Sequence, residues 1–82
     1  MPTLLRAYGF RFHFYAADLS EPPHVHVDGH GGEAKFWLDN VEIAFARGLS
    51  RRDLAKVRTV VIENRGDMLE VWRGYLGRGP RP

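Results

Sequence analysis

The chain contains no cysteine. That excludes a disulfide framework and a thiolate zinc site, and leaves any metal site to His, Asp and Glu. No apolar run approaches the ~20 residues of a membrane helix. The opening Met1-Pro2-Thr3-Leu4-Leu5-Arg6 lacks the basic-then-apolar plan of a signal peptide. The expectation is a soluble cytoplasmic protein with no membrane association. Charge of one sign is scarce as well: 12 basic against 10 acidic residues give a formal net charge of +2. That permits contact with RNA or DNA but does not demand it. Part of the positive charge sits in Arg78-Gly79-Pro80-Arg81-Pro82, which has no apolar anchor and reads as a disordered tail. No internal repeat or linker is present. At 82 residues the chain reads as one domain over residues 1–77 with the tail at 78–82. A domain this small buries only about 60% of its unfolded surface, so modest stability follows.

What the chain does have is alternation. Phe10-Arg11-Phe12-His13-Phe14-Tyr15 places three phenylalanines on one face and Arg11, His13 and Tyr15 on the other, the period of a half-buried strand. His24-Val25-His26-Val27-Asp28 repeats the division, with Val25 and Val27 inward and both histidines on the opposite face. Glu33 to Asp39 does so again, with Ala34, Phe36 and Leu38 inward and Lys35 and Trp37 outward. Thr3 to Ala7 reads as a first strand, Tyr8-Gly9 as a turn, and Gly29-His30-Gly31-Gly32 as a tight connection. Val41 to Ala46 reads as a fifth strand with Val41, Ile43 and Phe45 inward, a short helix being the competing reading. Ser50 caps a helix, with Asp53 in the capping-box position. Leu54, Val57, Val60 and Val61 form its apolar stripe. Asn64-Arg65-Gly66 interrupts the pattern, and a second stripe of Met68, Leu69, Trp72, Tyr75 and Leu76 runs to Gly77. The fold class is α+β: an antiparallel meander of four or five strands with two C-terminal helices packed on one face.

The other face then collects Arg11, His13, Tyr15, His24, His26, Lys35 and Trp37. Three functions use such a set. A metal-independent ribonuclease needs a base and an acid, roles for His24 and His26 with His13 in support. It also needs cations at phosphate, Arg11 and Lys35, and rings for bases, Tyr15 and Trp37. A protein-interaction module needs only the aromatic and basic surface, with no chemistry. A metal site could draw on His24, His26 and His13, but alternate strand residues lie ~6.6–7 Å apart and must lean together. No cofactor is called for. Plainer readings stand beside these. A histidine on a wet strand face is often just tolerated. His30 is a loop residue. Arg11 and Lys35 pair with Glu33 or Asp39 for under about 1 kcal/mol each. Arg51, Arg52, Lys56 and Arg58 form a solvated helix face. An exposed first or fifth strand offers an edge for a homodimer.

Several segments together resemble one family. They are Pro22-Pro23-His24-Val25-His26-Val27, Gly32-Glu33-Ala34-Lys35-Phe36-Trp37-Leu38-Asp39, Gly48-Leu49-Ser50 and the helix ending Glu70-Val71-Trp72. Met1-Pro2-Thr3-Leu4 and Gly9-Phe10-Arg11-Phe12 fit it too. The chain is similar, up to about Gly77, to the small prokaryotic domain-of-unknown-function family 4160. One departure is Asn40, where that pattern leads one to expect proline. The resemblance implies a bacterial or phage protein, often encoded beside another short domain in what looks like a toxin–antitoxin pair. A cognate small protein is the partner it points to, and the residues of the face add RNA, so the first expectation is a toxin-like RNA-binding protein or ribonuclease, with the interaction module second and the metal site third. It marks His24, His26, Lys35 and Trp37 as site residues and assigns them no role.

Overall fold

The computed structural model describes residues 3–15 and 19–77. The tail expected at 78–82 lies outside them. Five strands run in order, β1 (Thr3–Ala7), β2 (Phe10–His13), β3 (His24–Gly29), β4 (Gly32–Trp37) and β5 (Ile43–Arg47). They form one antiparallel meander in the order β1-β2-β3-β4-β5. A single 27-residue helix, α1 (Arg51–Gly77), follows. No described helix is long and apolar enough to cross a membrane.

Two hairpins fix the register. Tyr8 and Gly9 both have positive φ, 56° and 81°, and so do His30 and Gly31, 51° and 80°. Two successive left-handed residues are the signature of the type I′ turn, whose twist matches that of the strands it joins. His30 does more than sit in its turn. Its Nε2–H donates to the Tyr8 carbonyl at 2.9 Å, and its ring lies 4.6 Å from that of Phe10. One imidazole thus ties the two turns together at one end of the sheet.

The inner face is as the alternation predicts. Phe10, Phe12, Phe14, Val25, Val27, Ala34, Phe36 and Leu38 are all buried, against Val57, Val60, Val61, Met68, Leu69 and Trp72 of α1. The two expected helices are one. The apolar stripe runs through Val57, Val61, Met68 and Trp72 without losing phase at Gly66, so the ~1 kcal/mol penalty of a helical glycine is outweighed by packing on both sides. The residues expected to break the helix also serve it. Asn64 donates to the Val60 carbonyl at 2.8 Å. Arg65 donates through Nε to the Leu38 carbonyl and through an Nη to the Asp39 carbonyl at 3.0 Å. The cap is as read, with the Asp53 N–H donating to Ser50 Oγ at 3.0 Å.

The fifth strand exists but begins two residues later than expected and is turned differently. Val41 is buried, yet it lies in the connection with φ 55°, a left-handed conformation that a β-branched residue rarely adopts. Asn40 accepts from the Glu42 N–H at 3.0 Å, so an Asx turn stands where a proline was expected. Arg58 donates to the Val41 carbonyl at 3.3 Å, and with Arg65 it holds this loop to the helix. Ile43 keeps the inward side, opposite Phe36 and beside Leu54 and Arg58 of α1, though it is 43% exposed, whereas Phe45 lies opposite Lys35 and faces outward. The cause is position: β5 is an edge strand, and the register shifts between its pairs with Lys35 and Phe36. A similar shift lies between Thr3 and Leu5 on the other edge. Such bulges twist an edge away from further pairing.

Candidate functional site

The strand registers bring the outward side chains into rows. One row runs Thr3, His13, His26, Lys35, Phe45 across all five strands. A second runs Arg6, Arg11, Asp28, Glu33, Arg47. A third pairs His24 with Trp37, and Tyr15 follows beyond the end of β2. Every site residue read from the sequence is therefore on or beside one face. The rings touch in sequence. Tyr15 lies edge-on to His13 at 4.9 Å and to His26 at 4.6 Å. His26 stacks on His13 at 5.8 Å and meets His24 edge-on at 5.1 Å.

The face is less open than the alternation predicts. His13 is 2% exposed and His24 is 0% exposed. His24 is closed over by ring contacts to Trp37 at 5.6 Å and to Trp72 of α1 at 5.1 Å. The expectation that both histidines of the double-proline segment meet solvent therefore holds only for His26, which is half-buried. The Nδ1 of His24 is 2.9 Å from the Pro22 carbonyl. A carbonyl oxygen only accepts, so Nδ1 carries a proton, and in the neutral ring Nε2 carries the lone pair.

His13 is held by Asp28, its Nε2 2.9 Å from Oδ1. The distance is that of an ion pair, but burial pushes the imidazole pKa below its usual value, aided by the neighbouring Arg11. The Asp28 carboxylate acts in the opposite direction and does not overcome the desolvation. We therefore read a neutral imidazole donating to a carboxylate. Its Nδ1 is buried and has no hydrogen-bond partner among the described residues.

The cations of the face are already engaged. Lys35 Nζ is 2.9 Å from Glu21 Oε1 and 4.7 Å from the centre of the Trp37 ring. Arg47 pairs with Glu33. Arg11 donates from Nε to Thr3 Oγ1 at 2.8 Å and faces Asp28 across the strands. In place of the expected Glu33 or Asp39, Lys35 thus pairs with Glu21 and Arg11 bonds to Thr3. Exposed on the same face are Tyr15, 50% accessible, and Phe45, 41% accessible. The apolar alternation predicts Phe45 in the core. Its place opposite Lys35 depends on the bulge, which leaves no mark in the apolar pattern. A small cleft of about 150 Å³ is lined by His13, Tyr15, His26, Asp28 and Glu33. Among the described residues no group of three or more His, Asp or Glu side chains is arranged to hold a metal ion.

Fold and face together define a class: a small α+β domain with a helix-covered meander and an imidazole-rich outer surface. The chain belongs to the family described as a domain of unknown function, DUF4160, whose model matches residues 9–73. No curated protein and no solved structure matches it.

Proposed function

We propose that this domain is a protein-binding module, one member of a two-protein pair of the toxin–antitoxin type, and that the outer sheet face docks the partner. The observation that carries the reading is the contrast on that face between engaged charges and accessible rings. Tyr15 and Phe45 are exposed and His26 and Trp37 are half-buried, while Lys35 and Arg47 are matched by Glu21 and Glu33. Aromatic anchors beside compensated charge are what protein hot spots use. Binding to a phosphate backbone draws instead on uncompensated Lys and Arg, and here Lys35 and Arg47 each hold a carboxylate. Acid–base cleavage of RNA draws on two imidazoles that reach substrate. Of the three on this face, only His26 is accessible.

The test uses the purified product of the gene beside this one, the partner the family resemblance implies. Titration calorimetry should detect a complex with the wild-type chain. The double change Trp37→Ala, Phe45→Ser should weaken it at least tenfold while the circular dichroism spectrum is kept. No complex, or a complex indifferent to both changes, contradicts the proposal. RNA cleavage by the wild-type chain that is lost in His26→Ala would replace it with the ribonuclease reading.

A further inference from the structure

The cleft on the outer face has a chemistry of its own. Asp28 and Glu33 line it with side chains 50% and 42% accessible. Each carboxylate gives one oxygen to a neighbour, Asp28 Oδ1 to His13 and Glu33 Oε2 to Arg47, and has a second oxygen for another donor. The Tyr15 ring brings a π face. His13 adds an unusual element. Its proton is on Nε2, toward Asp28, so its Nδ1 is an acceptor, and that atom is buried with no partner among the described residues. Carboxylates and a π face both favour a cation that carries N–H donors. They disfavour phosphate or a carboxylate ligand. At about 150 Å³ the space is well below the ~300 Å³ of a cleft for drug-sized molecules, and it suits the head of one long side chain.

We propose that this cleft receives an arginine side chain of the docked protein, its guanidinium held between Asp28 and Glu33 and against Tyr15. The inference rests on the protein-binding reading and names the chemistry of its partner. Arginine suits the site better than lysine, because a planar fork can serve two carboxylates and lie on a ring at once.

The probe is a short blocked peptide, acetyl-Ala-Arg-Ala-amide, titrated into the full chain and followed by amide chemical shifts. Its citrulline counterpart keeps the shape and removes the charge. Saturable shifts at His13, His26, Asp28 and Glu33 are expected with the arginine peptide, at least fivefold weaker with citrulline. Glu33→Gln and Asp28→Asn should each weaken binding at least threefold. Glu33 is partly exposed, so Glu33→Gln remains informative should Asp28→Asn fail to fold. Equal binding of both peptides, shifts elsewhere on the domain, or no saturable shift by ~10 mM overturns the inference. The two proposals fail separately. A partner complex that needs Trp37 and Phe45 alongside no arginine binding removes only the cleft assignment. Arginine binding in the cleft, with a partner complex that ignores Trp37 and Phe45, removes the docking reading.

Discussion

Replacing His24 with alanine should destabilise this domain and report on packing before chemistry. The ring is 0% exposed, with ring neighbours at 5.1 Å in His26, 5.6 Å in Trp37 and 5.1 Å in Trp72. Truncating a fully buried aromatic ring to alanine costs about 3–5 kcal/mol. Imidazole is smaller and gives up one hydrogen bond, worth about 1 kcal/mol, so we expect a loss near 3 kcal/mol. A domain of 82 residues has roughly 4–12 kcal/mol in total, at ~0.05–0.15 kcal/mol per residue. The expected fall in Tm is ~12–24 °C, from ~4–8 °C per kcal/mol at this size. Urea unfolding followed by tryptophan fluorescence measures it, with an unchanged m value confirming that the same surface is exposed. His26→Ala is the internal control, since His26 is half-buried and should cost under about 1.5 kcal/mol. The reasoning is refuted if His24→Ala stays within 1 kcal/mol of the wild type, or if His26→Ala costs more than His24→Ala.

Further outcomes follow from other contacts. Arg65→Met removes the guanidinium that serves the Leu38 and Asp39 carbonyls and should cost about 2 kcal/mol, with hydrogen bonds from charged groups worth ~1.5–3 kcal/mol each before allowance for partial exposure; a change under 0.5 kcal/mol in urea melts contradicts the role given to this loop. Gly66→Ala, where an added Cβ meets nothing within 4 Å, should raise stability by about 0.5–1 kcal/mol, and a destabilised variant would mean that the helix is not continuous there. His13 has a folded pKa below its unfolded value of 6.5. Below pH 6.5 the unfolded chain therefore binds the proton more readily, and stability falls as pH falls. Unfolding titrations between pH 7.5 and 5.5 should show a shallower decline in His13→Gln than in the wild type, and identical slopes would contradict the assignment.

The sheet was legible because its strands bury one face. The alternation of Phe10, Phe12 and Phe14, and of Val25 and Val27, carries that information locally. The helix was misjudged at Gly66, where a local penalty met long-range compensation: Arg65 bonds to carbonyls of the β4–β5 connection, which no window around Gly66 contains. Phe45 departs for a related reason, since a bulge changes which face a residue meets without altering composition, whereas Val41 is inward as expected but lies in the connection before the strand. The face itself was read correctly as a set of residues and incorrectly as a uniformly wet surface. Burial of His24 depends on Trp72, far along the chain. The hydrogen bond of His13 depends on Asp28 lying diagonally across the β2–β3 pair, and its lowered pKa on burial with Arg11 beside it. Both facts need the register before they can be seen. The cross-strand series Arg11, Asp28, Glu33, Arg47 becomes a row of two carboxylates between two arginines only once the strands are aligned.

The most direct measurement is a cross-saturation NMR map of the complex between this chain and the purified neighbouring gene product. The account predicts that saturation concentrates on Tyr15, His26, Trp37 and Phe45. A footprint on the exposed side of α1, with those four residues unaffected, would contradict it.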